Sequence, residues 1–179
     1  GRSSTRMGFA FGSVGGVAVG EGRNAAYAAS LGWEVLAIDF SEAGRDKALA
    51  LAAERGVSFT YELAAVHEYA YPEAAFEAAA LIYAHLPPEL RRETHRRVAR
   101  ALKPGGLLIL EAFGKEQLGR SSGGPKNTAM LYSPEELRED FPGLEWEILE
   151  ESEVELKEGP YHEGSARVVR ALGRSLSRG

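Results

Sequence analysis

Cysteine is absent from the 179-residue sequence. Disulfide bonds, thiolate-ligated zinc, iron–sulfur clusters and a cysteine nucleophile are therefore excluded. Positive charge is also scarce, because 21 lysines and arginines face 26 aspartates and glutamates, which gives a formal net charge of −5. This balance offers no electrostatic footprint for a nucleic-acid backbone or an anionic membrane, so we expect a small-molecule partner and neither nucleic acid nor membrane.

The sequence also lacks a hydrophobic run long enough to cross a bilayer. Arg2 and Arg6 precede a largely apolar stretch at 7–20, as in a signal peptide, but five glycines dilute it and no small-residue cleavage site follows. A buried strand explains the stretch better, and we expect a cytoplasmic enzyme. Because the chain begins with Gly1, we expect a fragment, a processed form or a tagged chain, and whether an N-terminal lid is missing stays open.

Strand-like and helix-like segments alternate along the chain, whose length is typical of one domain. We expect a single domain over 1–179, with residues 1–13 irregular. Apolar runs rich in β-branched and aromatic residues predict strands at 14–19, 34–40, 57–62, 79–83 and 106–111. Such alternation is typical of a parallel sheet. Two further strands, at 146–156 and 166–172, have no helix between them and should pair antiparallel or lie apart.

Capping signals place the helices. The first runs from Asn24 to Leu31, and the second is capped by Ser41 and ends before Gly56. The third begins at Pro88. Its predicted buried stripe consists of Leu90, Thr94, Val98, Ala101 and Leu102. A serine-proline-glutamate-glutamate sequence at 133–136 predicts a capping box at the start of a short helix, and the glycine- and serine-rich segment 119–127 predicts a loop.

Two loops that follow predicted strands carry candidate ligand-binding residues. In an open parallel sheet, ligands bind beyond the carboxyl ends of the strands. Gly20, Glu21 and Gly22 form a glycine-rich turn whose backbone can approach a nucleotide, although many such turns serve sterics alone. Asp39, at the end of the second strand, could accept hydrogen bonds from both ribose hydroxyls or could simply cap the next helix. Phe40 could lie against an adenine or belong to the core.

These residues, together with His85-Leu86-Pro87 and Leu102-Lys103-Pro104-Gly105-Gly106, resemble the successive motifs of class I methyltransferases. Similarity is greatest to the small tellurite-resistance-related group and extends over about residues 14 to 174. The resemblance implies a Rossmann-like α/β fold with a mostly parallel seven-stranded sheet, a C-terminal antiparallel hairpin and helices on both faces. It also implies S-adenosylmethionine as methyl donor and S-adenosylhomocysteine as product. The implied cofactor-binding residues are Gly20, Glu21, Gly22, Asp39, Phe40, Ser41, Ala65 and Tyr83.

Some positions depart from the family pattern. Gly16 and Val19 stand where acidic residues are usual, and Ala18 where a glycine is usual. Ala65 replaces the acidic or amide residue near the adenine amine. Each lost hydrogen bond to a charged group removes about 1.5–3 kcal/mol. A catalytically weakened relative that acts as a binding protein is therefore an alternative, and a nicotinamide-dependent oxidoreductase using the same glycine turn is another.

Histidines and one lysine are the acceptor-side candidates. His85 follows the fourth strand and could orient a substrate or take its proton, or could bond to the neighbouring turn. Lys126, Tyr161 and His162 could reach the same cleft or could be exposed surface residues. No metal-ligand spacing connects the histidines, so we expect no metal. The arginines around His95 predict a solvated helix face more than a contact with RNA. The sequence thus predicts methyl transfer to a small molecule, such as a thiol or a chalcogen oxyanion.

Overall fold

A sheet of seven strands organises the protein, for which a computed structural model describes residues 5–11, 13–14, 17–18, 23–39, 41–117, 128–157 and 163–176. Along the chain the strands are β1 (Arg6–Phe11), β2 (Ser13–Val14), β3 (Val17–Ala18), β4 (Glu34–Asp39), β5 (Thr60–Leu63), β6 (Phe76–Ile82), β7 (Leu102–Phe113), β8 (Leu144–Lys157) and β9 (Glu163–Ser175). Of these, β2 and β3 form a separate antiparallel pair.

The strand order in the main sheet is β5-β4-β1-β6-β7-β9-β8. Neighbours from β5 to β7 are parallel, whereas β9 runs antiparallel to both β7 and β8. The predicted mostly parallel sheet with a final antiparallel hairpin is therefore confirmed. β4 and β5 lie on one side of β1, and β6, the next strand along the chain, lies on the other side. This reversal is a topological switch point, the usual position of a ligand in such sheets.

The central strand differs from the prediction. We expected it at 14–19 and expected residues 1–13 to be irregular, but Arg6–Phe11 pairs with both β4 and β6. Met7 in this strand is buried. The backbone N–H of Arg6 donates to the Glu77 carboxylate, with 2.6 Å between nitrogen and oxygen. Within the predicted strand, Ser13–Val14 and Val17–Ala18 form the short β2–β3 pair instead.

Four helices accompany the sheet: α1 (Arg23–Ser30), α2 (Glu42–Glu54), α3 (Pro88–Ala101) and α4 (Pro134–Asp140). The predicted cap of α2 is confirmed, because Ser41 Oγ accepts a hydrogen bond of 3.0 Å from the N–H of Gly44. Gly56 has φ = 68° just beyond α2, a left-handed conformation that glycine adopts without steric cost. The predicted start of α3 at Pro88 is also confirmed.

Helices lie on both faces of the sheet, as predicted. On one face, Ala25 and Ala28 of α1 pack against Met7, Ala37 and Ala80 of the central strands. On the other face, residues of α3 and α4 pack against β7 and β9 in a second cluster that includes Val98, Leu137, Leu108, Leu110 and Val169. The central strands are thus buried on both sides.

The buried side of α3 was only partly predicted. Thr94, Val98, Ala101 and Leu102 are buried as expected, but Leu90 is 37% exposed. Arg91 and His95 are buried in its place, whereas Arg92 and Arg96 are exposed, so the expected solvated arginine face holds only in part. The two buried residues pair with Asp140 of α4, because a buried ion needs a partner.

The predicted capping box at α4 holds in one half. Ser133 Oγ accepts from the N–H of Glu136 at 3.3 Å. The Glu136 carboxylate bonds to Arg91 and Lys115 instead of reaching back to the start of the helix. Its partners come from other segments, which local sequence patterns do not show.

Candidate active site

The candidate site lies at the carboxyl ends of β4, β6 and β7, beside the switch point at β1. Asp39 is the last residue of β4, and Tyr83 follows the last residue of β6. His85 lies two positions further along the same segment. The fold therefore brings three of the residues predicted from the sequence to one edge of the sheet.

Asp39 is 2% exposed and its carboxylate is held at the start of α2. Oδ1 accepts from the N–H of Ser41 at 3.3 Å, and Oδ2 accepts from the hydroxyl of Tyr61 at 3.0 Å. A Cβ at position 44 would lie 2.8 Å from Oδ2, so only glycine leaves the carboxylate room here. Asp39 thus does contact the start of α2, as the helix-capping alternative expects. Its two hydrogen bonds also fix the direction of the carboxylate. Its role toward a ribose stays a prediction.

Ser41 and Ala65, also on the predicted cofactor side, make local hydrogen bonds in their own loops. The Ser41 hydroxyl is engaged by Gly44. After β5, the carbonyl of Ala65 accepts hydrogen bonds from the N–H groups of Glu68 and Tyr69, at 3.0 and 3.1 Å, which closes a turn. A methyl side chain at 65 can pack against a ring but cannot bond to an amine.

Tyr83 has φ = 51°, an unfavourable conformation for a bulky residue. Its N–H donates to the carbonyl of Glu111 at 2.7 Å, and its hydroxyl donates to Glu111 Oε1 at 2.9 Å. Arg170 of β9 lies 3.6 Å from the same carboxylate oxygen. Glu111 was not predicted as a site residue, although a carboxylate inside the apolar run 107–113 was a usable signal. Strain at Tyr83 is thus offset by two bonds to one residue.

Both ring nitrogens of His85 are hydrogen-bonded to backbone groups. Nδ1 lies 2.7 Å from the carbonyl oxygen of Met130, and the N–H of Phe113 donates to Nε2 at 3.1 Å. Because an N–H can only donate, Nε2 carries no proton and Nδ1 carries the single one. Burial lowers the pKa of His85 to about 4, and the bond to Met130 offsets this only in part. A proton could be taken from a substrate only by breaking the bond to Phe113.

The remaining predicted residues lie outside the described ones: Gly20, Glu21, Gly22, Phe40, Lys126, Tyr161 and His162, as do Gly16 and Val19. Within the part of the chain that is described, no three histidine, aspartate or glutamate side chains are grouped as a metal site would require. No helix among the same residues is both long and apolar enough to span a membrane.

The sequence matches a known protein family. A family model described as a methyltransferase domain matches residues 14–106, more than half of the chain. The protein belongs to this methyltransferase family. The match includes the glycine turn, Asp39, Tyr83 and His85, and it ends before the predicted acceptor-side residues at 126, 161 and 162.

Solved methyltransferase structures share the fold of this chain. A SAM-dependent methyltransferase from Methanosarcina mazei is 17% identical, with 99% of this chain and 95% of that one covered and a TM-score of 0.73. TehB from Haemophilus influenzae is 16% identical with a TM-score of 0.73, and the alignment covers 97% of this chain but 58% of TehB. The N-methyltransferase NodS from Bradyrhizobium japonicum is 12% identical, with coverage of 97% and 88% and a TM-score of 0.69. No curated protein matches the sequence. Together the fold and the family imply S-adenosylmethionine as the methyl donor.

Proposed function

We propose that this protein binds S-adenosylmethionine at the switch point and transfers its methyl group to a small molecule in the cytoplasm. The observation that carries the proposal is the buried carboxylate of Asp39 at the end of β4, in a chain of the methyltransferase family. A carboxylate at this position of a doubly wound sheet can accept hydrogen bonds from ribose hydroxyls. The contacts to Ser41 and Tyr61 hold it in one direction before any ligand arrives.

The residues present fit the cofactor. Asp39 would hold the ribose, the turn at Ala65 would lie against the adenine, and Tyr83 would border the methyl-bearing end. The bound cofactor supplies an electrophilic methyl group. The protein has to align a nucleophile behind that group and exclude water, and an aligned geometry alone accounts for a large part of such a rate enhancement.

The acceptor class follows from the state of His85. A neutral histidine whose two nitrogens are occupied by Phe113 and Met130 is poorly suited to remove a proton. An acceptor that already carries a free electron pair, such as a thiolate or a chalcogen oxyanion, needs no such step. We therefore favour this class, in line with the resemblance to the tellurite-resistance-related group, and assign His85 the role of holding the ends of β6 and β7 together.

A second candidate function is a weakened relative that binds cofactor without efficient turnover. Ala65 favours it, because its side chain cannot bond to the adenine amine. Comparison of cofactor binding with methyl transfer separates the two functions. Release of S-adenosylhomocysteine with selenite, tellurite or small thiols as acceptors would support the enzyme, whereas binding without release for all of them would support the weakened relative.

Calorimetric titration with S-adenosylhomocysteine tests the site. Asp39→Asn should weaken binding by about 10- to 150-fold, the equivalent of the 1.5–3 kcal/mol that a hydrogen bond to a charged group contributes. The matched control is Asp46→Asn, at an exposed carboxylate on α2 that pairs with Arg45, and it should leave the affinity unchanged. A wild-type dissociation constant weaker than about 1 mM would contradict the proposal, as would thermal protection by NADH alone.

A further inference from the structure

A buried chain of polar side chains runs from the outer helices to the candidate site. Arg91 Nε of α3 lies 2.9 Å from Asp140 Oδ2 of α4, and His95 Nδ1 lies 2.7 Å from the same oxygen. His95 Nε2 is 3.3 Å from the hydroxyl of Tyr132, which is itself 2.8 Å from the carbonyl oxygen of Ala84. Arg91, His95, Tyr132 and Ala84 are all buried, with between 1% and 5% of each residue exposed.

Further charged side chains, from α4 and from the segment after β7, lie next to these bonded residues. Arg91 also bonds to Glu136 of α4 at 2.9 Å, and the other oxygen of Glu136 lies 2.6 Å from Lys115. The rings of Phe141 and Tyr132 stack on His95 at centroid distances of 4.6 and 5.9 Å. The imidazole of His95 thus stacks with two rings and is hydrogen-bonded at both nitrogens.

The hydrogen bonds that His95 and Tyr132 can form depend on whether His95 Nε2 carries a proton. Burial by itself raises the pKa of Asp140, but the bonds from His95 and Arg91 outweigh it and lower that pKa, so the carboxylate is ionised and only accepts. Nδ1 of His95 must then carry a proton. The hydroxyl of Tyr132 has a single proton to donate, and the Ala84 carbonyl, which can only accept, lies nearer to it than His95 Nε2 does.

These bonded side chains therefore have two states, which differ in the charge of His95. When His95 is charged, Nε2 donates to the Tyr132 oxygen and every group has a partner. When His95 is neutral, Nε2 and the Ala84 carbonyl compete for one hydroxyl proton. Burial lowers the pKa of His95; the bond to Asp140 raises it and the charge of Arg91 lowers it, so the pKa lies below the usual value for histidine.

Tyr132 reaches the candidate site by three routes. Its hydroxyl bonds to Ala84, the neighbour of His85. Its N–H donates to the carbonyl of Phe113 at 2.9 Å, and the N–H of Phe113 donates to His85. The ring of Tyr132 also lies edge-on to the ring of His85, with 5.3 Å between centroids.

We propose that Tyr132 is a positioning residue of the candidate site, whose hold on the Ala84–His85 turn is set by the proton on His95 Nε2. A change in the protonation of His95, between α3 and α4, thereby affects the acceptor end of the site. The connection from His95 to His85 is independent of the proposed function. Only the description of the turn as the acceptor end rests on it.

Imidazole ¹⁵N spectra of the cofactor-free protein test the coupling. The sequence has four histidines, which His→Gln variants can assign singly. As the pH is lowered, the signals of His85 should show a step at the titration midpoint of His95. Tyr132→Phe should remove that step. The matched control Tyr71→Phe, which also loses one hydroxyl bond to a backbone carbonyl, from Tyr71 to Val66 at 2.7 Å, should retain it.

A second variant covers the case in which Tyr132→Phe does not fold. His95→Gln removes the titrating group, so the same step in the His85 signals should vanish. The proposal is overturned if the step is absent from the wild type, if it persists in either variant, or if the protein unfolds before His95 titrates. The spectra are recorded without cofactor, so a failure of the protein to bind S-adenosylhomocysteine would not change their outcome.

Discussion

His85 should make the protein progressively less stable in mild acid. In the unfolded chain its imidazole takes up a proton near pH 6.5, whereas in the folded protein burial keeps it neutral to about pH 4. Between these values the unfolded state binds more protons than the folded state, so the free energy of unfolding falls as the pH falls. At 1.36 kcal/mol per pH unit, the interval corresponds to about 3 kcal/mol.

The variant His85→Gln isolates this contribution. At about pH 7.5 it should be less stable than the wild type by about 1–3 kcal/mol, because glutamine cannot satisfy both the Phe113 N–H and the Met130 carbonyl. As the pH falls to about 4, the wild type loses stability that the variant does not have to lose. The difference between the two should therefore shrink to near zero or change sign.

Urea unfolding followed by tryptophan fluorescence at several pH values measures the effect. The two tryptophans, Trp33 and Trp146, lie on opposite faces of the sheet and report the transition of the whole domain. His67→Gln is the control, at a half-buried histidine beside Glu68, and should change stability by less than about 0.5 kcal/mol. A difference between wild type and His85→Gln that stays constant from pH 7.5 to 4 would refute the reasoning, because His85 would then titrate alike in both states.

Three other substitutions test the site and its support, each by thermal or urea unfolding. Ser41→Ala should cost about 1 kcal/mol, because the N–H of Gly44 loses its cap; no loss would mean that water replaces it. Gly44→Ala should lower both stability and affinity for S-adenosylhomocysteine, since its Cβ would lie 2.8 Å from Asp39 Oδ2; a gain of about 1 kcal/mol from helix propensity alone would contradict this contact. Arg91→Ala should cost about 3–5 kcal/mol, because it leaves Asp140 buried without its cation, and a loss below about 1 kcal/mol would indicate an exposed pair.

Local signals in the sequence were sufficient for much of the fold. The cap at Ser41, the start of α3 at Pro88 and the alternation of strands with helices depend on residues close together in the chain, and all three appear in the structure. The absence of a helix between the last two strands left antiparallel pairing or separation open, and the resemblance to class I methyltransferases implied the hairpin that the structure shows. These features needed no knowledge of tertiary contacts.

The central strand shows where local signals fail. The stretch 7–20 is largely apolar, so composition alone could not decide which part of it enters the sheet. Pairing decides instead: Met7 is placed opposite Val35 and Ala78, and the anchoring bond of Arg6 goes to Glu77, distant in sequence. A prediction from one segment could not include partners on two other strands.

The arginines of α3 show the same limit for charge. Arg91, Arg92, Arg96 and Arg97 are chemically identical, and the sequence gives no sign that one of them is buried. Arg91 differs because α4 presents Asp140 and Glu136 to it, and those carboxylates lie 49 and 45 positions further along the chain. Charge counted along a helix therefore predicts a solvated face unless the partner helix is known.

Charge is distributed differently at the two ends of the candidate site. Beneath the cofactor end lies the carboxylate of Asp39, fixed at the start of α2. Among the described residues of the acceptor end, His85 is kept neutral by two backbone bonds, while the ion pairs of Arg91 and Asp140 lie behind Tyr132. Under the proposed function, the absence of a proton acceptor at His85 favours an acceptor that arrives with its electron pair free. Water exclusion and alignment, more than proton transfer, are then the contributions required of this end of the sheet.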